Sequence, residues 1–279
     1  KFSYSNQLSK IQNILKIPYT LKTTYPSASS KKLDLEKIYQ KYQNHKIIKT
    51  NFVSFDHPLY ILFSSGTTGL PKCITHSHGG VTLQHLKELS LHTNISPKDN
   101  MLFFTTCGWM MWNWMVSNLL IGATISLYEG SPFYPDSKNF IKVIKKSEAT
   151  ILGAGAKAYE HLYSKQLPKK DTYIKNLKSI LSTGSPLSDD TFNFLNKKIN
   201  KSSTIHSISG GTDIVSCFML GNPMKPVFKG EIQSPGLGMD IDVFDDRGFP
   251  TRKTGELVCK SPFPSKPIYF WNDRNNKKY

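Results

Sequence analysis

The chain has 279 residues, 38% of them hydrophobic, enough to bury a substantial core and too many for a disordered segment. It carries 36 Lys and Arg against 20 Asp and Glu, a formal net charge of +16. The excess is spread as pairs (Lys31-Lys32, Lys145-Lys146, Lys169-Lys170, Lys197-Lys198, Lys277-Lys278), with no concentrated basic stripe interleaved with aromatics, so it argues against a nucleic-acid reader and reads as compositional bias.

Cys73, Cys107, Cys217 and Cys259 are widely separated, with no CxxC pair and no histidine at zinc-ligand spacing. That usage fits a reduced, cytoplasmic setting. Lys1-Phe2-Ser3-Tyr4 has neither an initiator Met nor a secretory apolar run, so Lys1 reads as an internal start. The stretch from Met101 to Tyr128 has no charged residue and is long enough to span a bilayer, but Gly108, Asn113, Ser117, Asn118, Gly122, Thr124 and Ser126 interrupt it. A buried strand, loop, helix and strand is expected there, with no membrane partner.

In chain order, Ser27–Lys32 reads as a surface loop and Leu33–Tyr42 as a weak helix. Apolar runs then alternate with helical periodicity. A strand Tyr60–Phe63 precedes a helix Val81–His92, Met101–Thr105 precedes Met110–Leu120, and Ala123–Tyr128 precedes Asp136–Lys146. Thr150–Leu152 precedes Ala156–Ser164, and Ser179–Leu181 precedes Leu187–Lys198. The pattern predicts an α/β layered fold whose strands join one mostly parallel sheet flanked by helices. From about Val215 the spacing shifts to short strands, Asp240–Phe244 and Gly255–Lys260, joined by Gly, Pro and Asp-Asp-Arg-Gly turns. The expected division is a core α/β part at 1–214 and a smaller β-rich subdomain at 215–279.

The strongest local signal is Ser64-Ser65-Gly66-Thr67-Thr68-Gly69-Leu70-Pro71-Lys72, directly after the strand Tyr60–Phe63. Small residues expose backbone N–H groups, glycines allow close approach, hydroxyls donate hydrogen bonds and Lys72 adds positive charge, a set that suits a polyphosphate. The spacing is not that of a Walker loop, since Leu70-Pro71 separates Gly69 from Lys72 and Cys73 follows. By composition alone, a flexible turn is the alternative reading.

The nine residues Ser64–Lys72 resemble the phosphate loop of the adenylate-forming superfamily of acyl-CoA synthetases, luciferases and peptide-synthetase adenylation domains. The resemblance continues in order through Thr105–Asn113, Gly130–Asp136, Ser182–Pro186 and Ser209–Asp213. As a set these motifs are similar to those of acetoacetyl-CoA synthetases. The resemblance implies a two-step reaction: a carboxylate attacks the α-phosphate of ATP, giving acyl-AMP and pyrophosphate, and the thiol of coenzyme A then displaces AMP. ATP, Mg²⁺ and coenzyme A are the implied cofactors and a short acid the implied substrate, acetoacetate first, propionate or butyrate as alternatives.

Carried over residue by residue, the resemblance assigns ATP binding to Ser64, Ser65, Gly66, Thr67, Thr68, Gly69 and Lys72, to Gly184, Ser185 and Pro186, and to Ser207, Ile208, Ser209, Gly210, Gly211 and Thr212. Lys72, Thr212 and Asp213 are the expected catalytic residues: Thr212 donates to the α-phosphate and Asp213 helps to hold Mg²⁺, where the superfamily usually has Glu. Trp109, Met110, Met111, Thr183 and Gly210 match the acid pocket; at Gly210 acetyl-CoA synthetases carry a Trp, so an acid longer than acetate is expected to fit. The aromatic and methionine cluster reads equally well as plain core. His76 and His78 are expected to be solvated loop histidines and His206 a packed strand residue.

The match ends before the superfamily's ribose-binding Asp, hinge and mobile C-terminal domain, and upstream structure is likewise expected outside this chain. Two rival readings remain: a phosphate-loop NTPase or kinase using Ser64–Lys72, and a non-catalytic binding module. The oligomeric state is left open.

Overall fold

The computed structural model describes residues 13–16, 31–44, 50–64, 71–168, 174–277 and 279. Residues 65–70 of the glycine-rich loop lie outside the described residues, as does Ser27–Ser30 of the expected surface loop. Contacts divide the chain into two compact units, Lys1–Phe52 and Val53–Tyr279. In the first unit β1 (Asn13–Lys16) and β2 (Lys31–Asp34) pair in parallel, and α1 (Leu35–Tyr42) follows. Lys31 and Lys32, expected in a loop, thus open a strand, and the weak helix begins two residues later than expected.

The second unit begins with β3 (Pro58–Ser64) and β4 (Lys72–Ser77), then α2 (His78–Lys87) and a π turn (Glu88–His92). β3 and β4 are antiparallel, with Leu62 opposite Ile74 and Ser64 opposite Lys72. This corrects the expectation that Tyr60–Phe63 joins the parallel sheet. β3 is instead the edge of a separate three-stranded sheet, and its alternating exposure shows one face left open, whereas strands of a doubly covered parallel sheet are buried on both sides.

The parallel sheet is built from β5 (Asn100–Phe103), β6 (Thr124–Ser126), β7 (Ile151–Gly155), β8 (Ser179–Thr183) and β9 (Thr204–Ser207), in the order β6-β5-β7-β8-β9. Between them run α3 (Met110–Val116) with a 3₁₀ turn (Ser117–Ile121), α4 (Lys138–Ser147), α5 (Ala156–Ser164) and α6 (Asp189–Lys198). Successive strand residues point to opposite faces, so the apolar runs feed two cores. Leu102, Leu152 and Ile180 pack with Phe140, Tyr159 and Leu195 of α4, α5 and α6. Met101, Phe103, Ile151 and Leu181 pack on the other side with Leu89 of the π turn and with Met111 and Trp114 of α3. The uncharged stretch from Met101 to Tyr128 is therefore mainly β5, α3, the 3₁₀ turn and β6. No helix among the described residues is long and apolar enough to cross a membrane.

Small antiparallel elements complete the unit. β10 (Ser209–Gly211), β11 (Ser216–Leu220) and β12 (Ser234–Pro235) form one sheet, and β13 (Ile241–Phe244) and β14 (Glu256–Cys259) form a hairpin. β15 (Tyr269–Phe270) returns to β4, with Tyr269 opposite Thr75, so β4 is the central strand of the first sheet. The position 214/215 falls inside the turn that joins β10 to β11.

Candidate active site

Strands β8 and β9 leave the parallel sheet side by side, and the space beyond their carboxyl ends is where open α/β sheets bind ligands. A cavity of about 390 Å³ lies there, lined from one side by Thr183, Gly184, Ser185, Pro186 and Leu187 and from the other by Ser207, Ile208, Ser209 and Gly210, with Gly230, Glu231 and Ile232 closing it. Two hydrogen bonds tie the strand exits together: Thr183 Oγ1 donates to Ile208 O at 3.0 Å, and Ile208 N to Ser182 O at 2.8 Å. Gly184 turns the chain with φ of +84°, a left-handed conformation that side chains rarely adopt. The tripeptide Gly184-Ser185-Pro186 and the stretch Ser207–Gly210, distant in sequence, thus face one space.

Trp109 stands at the N-terminus of α3, after the loop that leaves β5. Its ring would lie 3.9 Å from a methyl on Gly155, at the end of β7, and 3.8 Å from one on Gly184. It therefore spans from the switch point between β5 and β7 to the cavity's rim, and packs edge-on against Phe103 at 6.0 Å between centroids. Met110 and Met111 are buried in the core cluster with Trp114 and are not among the residues lining the cavity.

Gly210 lines the cavity, but its backbone is pressed against the neighbouring strand. An added Cβ would sit 2.1 Å from Ser216 O and 2.7 Å from Cys217 Cα, beside a register shift between Ser209 and Gly210. Gly211, Thr212 and Asp213 follow, Thr212 half-buried and Asp213 exposed on the turn. Among the described residues, no group of three or more His, Cys, Asp or Glu is placed to hold a metal ion.

Of the glycine-rich motif, only Ser64, Pro71 and Lys72 lie within the described residues. Ser64 and Lys72 face each other at the last pair of the β3–β4 ladder, so the motif joins these two strands. Lys72 Nζ stands 5.7 Å from the centre of the Phe270 ring.

Sequence reasoning missed the polar groups beneath the Thr212–Val215 turn. His76, expected in a solvated loop, is fully buried, in the second half of β4 where Ile74, Thr75, His76 and Ser77 are all covered. It contacts Thr212 O at 3.0 Å through Nε2. His78 is exposed at the start of α2. His206 is a packed strand residue, as expected, with Nδ1 donating to Gln233 Oε1. Burial holds the His76, His92 and His206 imidazoles below the ordinary histidine value and brings His85 down to about 4. The same desolvation pushes the Glu88 carboxyl up.

Residues 5–269 match the family described as AMP-binding enzymes, and the chain belongs to that family. It is similar to the acetoacetyl-coenzyme A synthetase of Rhizobium meliloti (strain 1021), 51% identical over 227 residues, covering 81% of this chain and 35% of that protein. It is also similar to the acetoacetyl-CoA synthetase of Macaca fascicularis, 42% identical across 98% of this chain and 41% of the relative. The solved acetoacetyl-CoA synthetase from Streptomyces lividans superposes with a TM-score of 0.84 at 37% identity, covering 98% of this chain and 42% of that one. The chain thus spans about two fifths or less of the length of these relatives.

Proposed function

We propose that this chain is the nucleotide-binding part of an acid:CoA ligase that activates a short carboxylic acid, acetoacetate first, as its acyl-AMP and then passes the acyl group to coenzyme A. The observation that carries this reading is the cavity between Gly184-Ser185-Pro186 and Ser207–Gly210 at the carboxyl ends of β8 and β9. Its position and size suit a nucleoside, and membership of the AMP-binding family supplies the nucleotide's identity. The similarity to acetoacetyl-CoA synthetases supports acetoacetate as the acid.

In this reading the loop Ser64, Ser65, Gly66, Thr67, Thr68, Gly69 and Lys72 holds the β- and γ-phosphates, and Ser207–Thr212 follows the adenylate. Thr212 donates its hydroxyl to the α-phosphate. Asp213, exposed on the turn, is a hard oxygen donor able to reach a hydrated Mg²⁺ ion carried by ATP; Mg²⁺ keeps several waters and needs few protein carboxylates, so one side chain suits it. The ion would neutralise charge on the phosphoryl oxygens as pyrophosphate departs. Trp109 and Thr183 wall the acid's end of the site, with Gly210 leaving room for an acid longer than acetate. Nucleotide handling is assigned mainly to 1–214, and 215–279 is a β-rich support that also brings Gly230, Glu231 and Ile232 to the cavity. A cytoplasmic location follows from the thiol usage.

The deciding experiment measures pyrophosphate release by the full-length protein with ATP, Mg²⁺ and each of acetate, propionate, butyrate and acetoacetate, with and without coenzyme A. Acetoacetate-dependent AMP and pyrophosphate are expected. ADP and phosphate would instead identify a kinase or NTPase, and acid-independent behaviour would remove the ligase reading.

A further inference from the structure

The segment from β4 through the π turn carries four buried titratable residues that packing alone does not call for. His76, His85 and Glu88 are fully buried and His92 nearly so. They meet the β10–β11 hairpin in register along its length. His76 Nε2 contacts Thr212 O at 3.0 Å, and His85 Nε2 contacts Val215 O at 2.5 Å. Glu88 Oε1 accepts from Ser216 Oγ at 3.0 Å and from Cys217 N at 3.2 Å, and His92 Nδ1 contacts Gly221 O at 2.7 Å. Positions 85, 88 and 92 share one helical face, and the π widening at Glu88–His92 is a feature often found at functional sites.

His76 differs from the other three because it lies on the strand whose first residue is Lys72. A carbonyl oxygen only accepts, so Nε2 carries the proton and donates to Thr212 O. Its Nδ1 makes no well-formed hydrogen bond among the described residues, with the Ser265 backbone the other polar group that influences the ring, so the ring's well-formed hydrogen bond is the one to the turn. The turn is otherwise held at its two ends, by the short, register-shifted β10 on one side and by the His85 contact to Val215 O on the other, with Val215 N bonding back to Thr212 O across it.

We propose that His76 is a positioning residue for acyl-adenylate formation: its Nε2–H bond to Thr212 O fixes the Thr212-Asp213 turn relative to the strand that begins at Lys72. This role rests on the ligase reading above. It concerns where the Thr212 hydroxyl meets the α-phosphate, a geometry in which a displacement of about 1 Å can cost on the order of 100-fold in rate.

The test is acid-dependent ATP–pyrophosphate exchange by the full-length protein with two substitutions of equal polarity and different reach. In His76→Gln the amide nitrogen falls where Nε2 was; in His76→Asn it falls one bond short, near Nδ1. A role limited to filling the interior would treat the two amides alike. The expected result is a fall in kcat of roughly 10- to 100-fold for His76→Asn, with the KM for ATP changed less than about threefold, and recovery to within about threefold of the parent in His76→Gln. Equal losses in both variants, or a loss confined to KM, overturns the role. Should His76→Asn fail to fold, a folded His76→Gln protein that loses tenfold or more in kcat overturns it, and one that keeps its exchange rate upholds it. Absence of exchange in the unsubstituted protein removes the ligase reading itself and this role with it, an outcome distinct from the others.

Discussion

Ser216 O occupies the place that a side chain on Gly210 would need: an added Cβ would lie 2.1 Å from it, with Cys217 Cα only 2.7 Å away. Both obstacles are backbone, which cannot swing aside as a flexible side chain does. Glycine here lets β10 and β11 approach closely, in addition to leaving room in the cavity. Gly210→Ala is therefore expected to lower stability by about 1–3 kcal/mol in urea denaturation, although a methyl adds little bulk to a substrate pocket. Gly210→Trp is expected to move acid preference toward acetate on top of that loss. The alanine variant is its proper reference, and unchanged acid preference in the tryptophan variant removes Gly210 from the acid pocket.

Glu88 is fully buried and accepts four hydrogen bonds, from Gln84 Nε2, Ser216 Oγ, Cys217 N and Trp114 Nε1. Glu88→Leu leaves these donors without an acceptor and is expected to cost about 3–5 kcal/mol. Glu88→Gln keeps three of them but sets an amide N–H against the Trp114 N–H. Because burial raises this carboxyl's pKa, the folded state holds its proton where the unfolded chain has lost it, and that contribution to stability declines as pH rises above about 4.5. The deficit of Glu88→Gln relative to the parent should therefore shrink with rising pH in paired denaturation curves. A constant deficit would show that Glu88 has no raised pKa.

The buried histidines act in the opposite direction. His76, His85, His92 and His206 have folded pKa values depressed by desolvation, that of His85 to about 4. The unfolded chain then binds more protons than the folded one below the ordinary value of 6.5, so stability rises with pH from about 4 to 6.5. Melting temperature should fall as pH is lowered from 7 to 5, and His85→Gln should reduce the slope. An unchanged slope in that variant would remove His85 from the account.

Asp99 anchors the amino-terminal edge of the parallel sheet. It accepts from Ser96 N and Oγ, from Thr150 Oγ1 at 2.8 Å and from Lys178 Nζ at 2.6 Å. Burial pushes its pKa up, but these donors outweigh it and the net shift is downward. The resulting stability is present above the ordinary carboxylate value and is lost as pH falls through the depressed one. Asp99→Asn is expected to cost about 1–2 kcal/mol at pH 7, a figure kept small because the Lys178 side chain is 57% exposed, and the difference from the parent should shrink as pH falls below about 3.8.

The elements read most faithfully from sequence were those with both faces covered. Ile151, Leu152 and the run Ser179–Leu181 are apolar or small on successive positions because each face of their strand meets a helical layer. α5 was expected at its observed bounds for a related reason: Tyr159 and Leu162 mark its buried side. β10 was invisible as a strand, since Ser209-Gly210-Gly211 has no apolar pattern and is held by its partner strand and by groups distant in sequence. β3 was seen but assigned to the wrong sheet, because an apolar run reveals burial and not its partner. The burial of His76 goes with its contact to Thr212 O, 136 residues on in the chain, and no local signal carries it. Glu231 reached the cavity wall in the same unannounced manner.

The pairing of β15 with β4, Tyr269 opposite Thr75 and Phe270 opposite Ile74, also bears on how the chain is made. During synthesis the five parallel strands are all available once Ser207 has emerged, whereas β4 keeps one open edge until Tyr269 and Phe270 follow. Closing so wide a span is entropically slow, and an unpaired strand edge invites foreign pairing. The nascent protein therefore passes through an interval in which its large sheet is complete while the strand leaving the glycine-rich loop is still exposed, the stage at which a chaperone has something to protect.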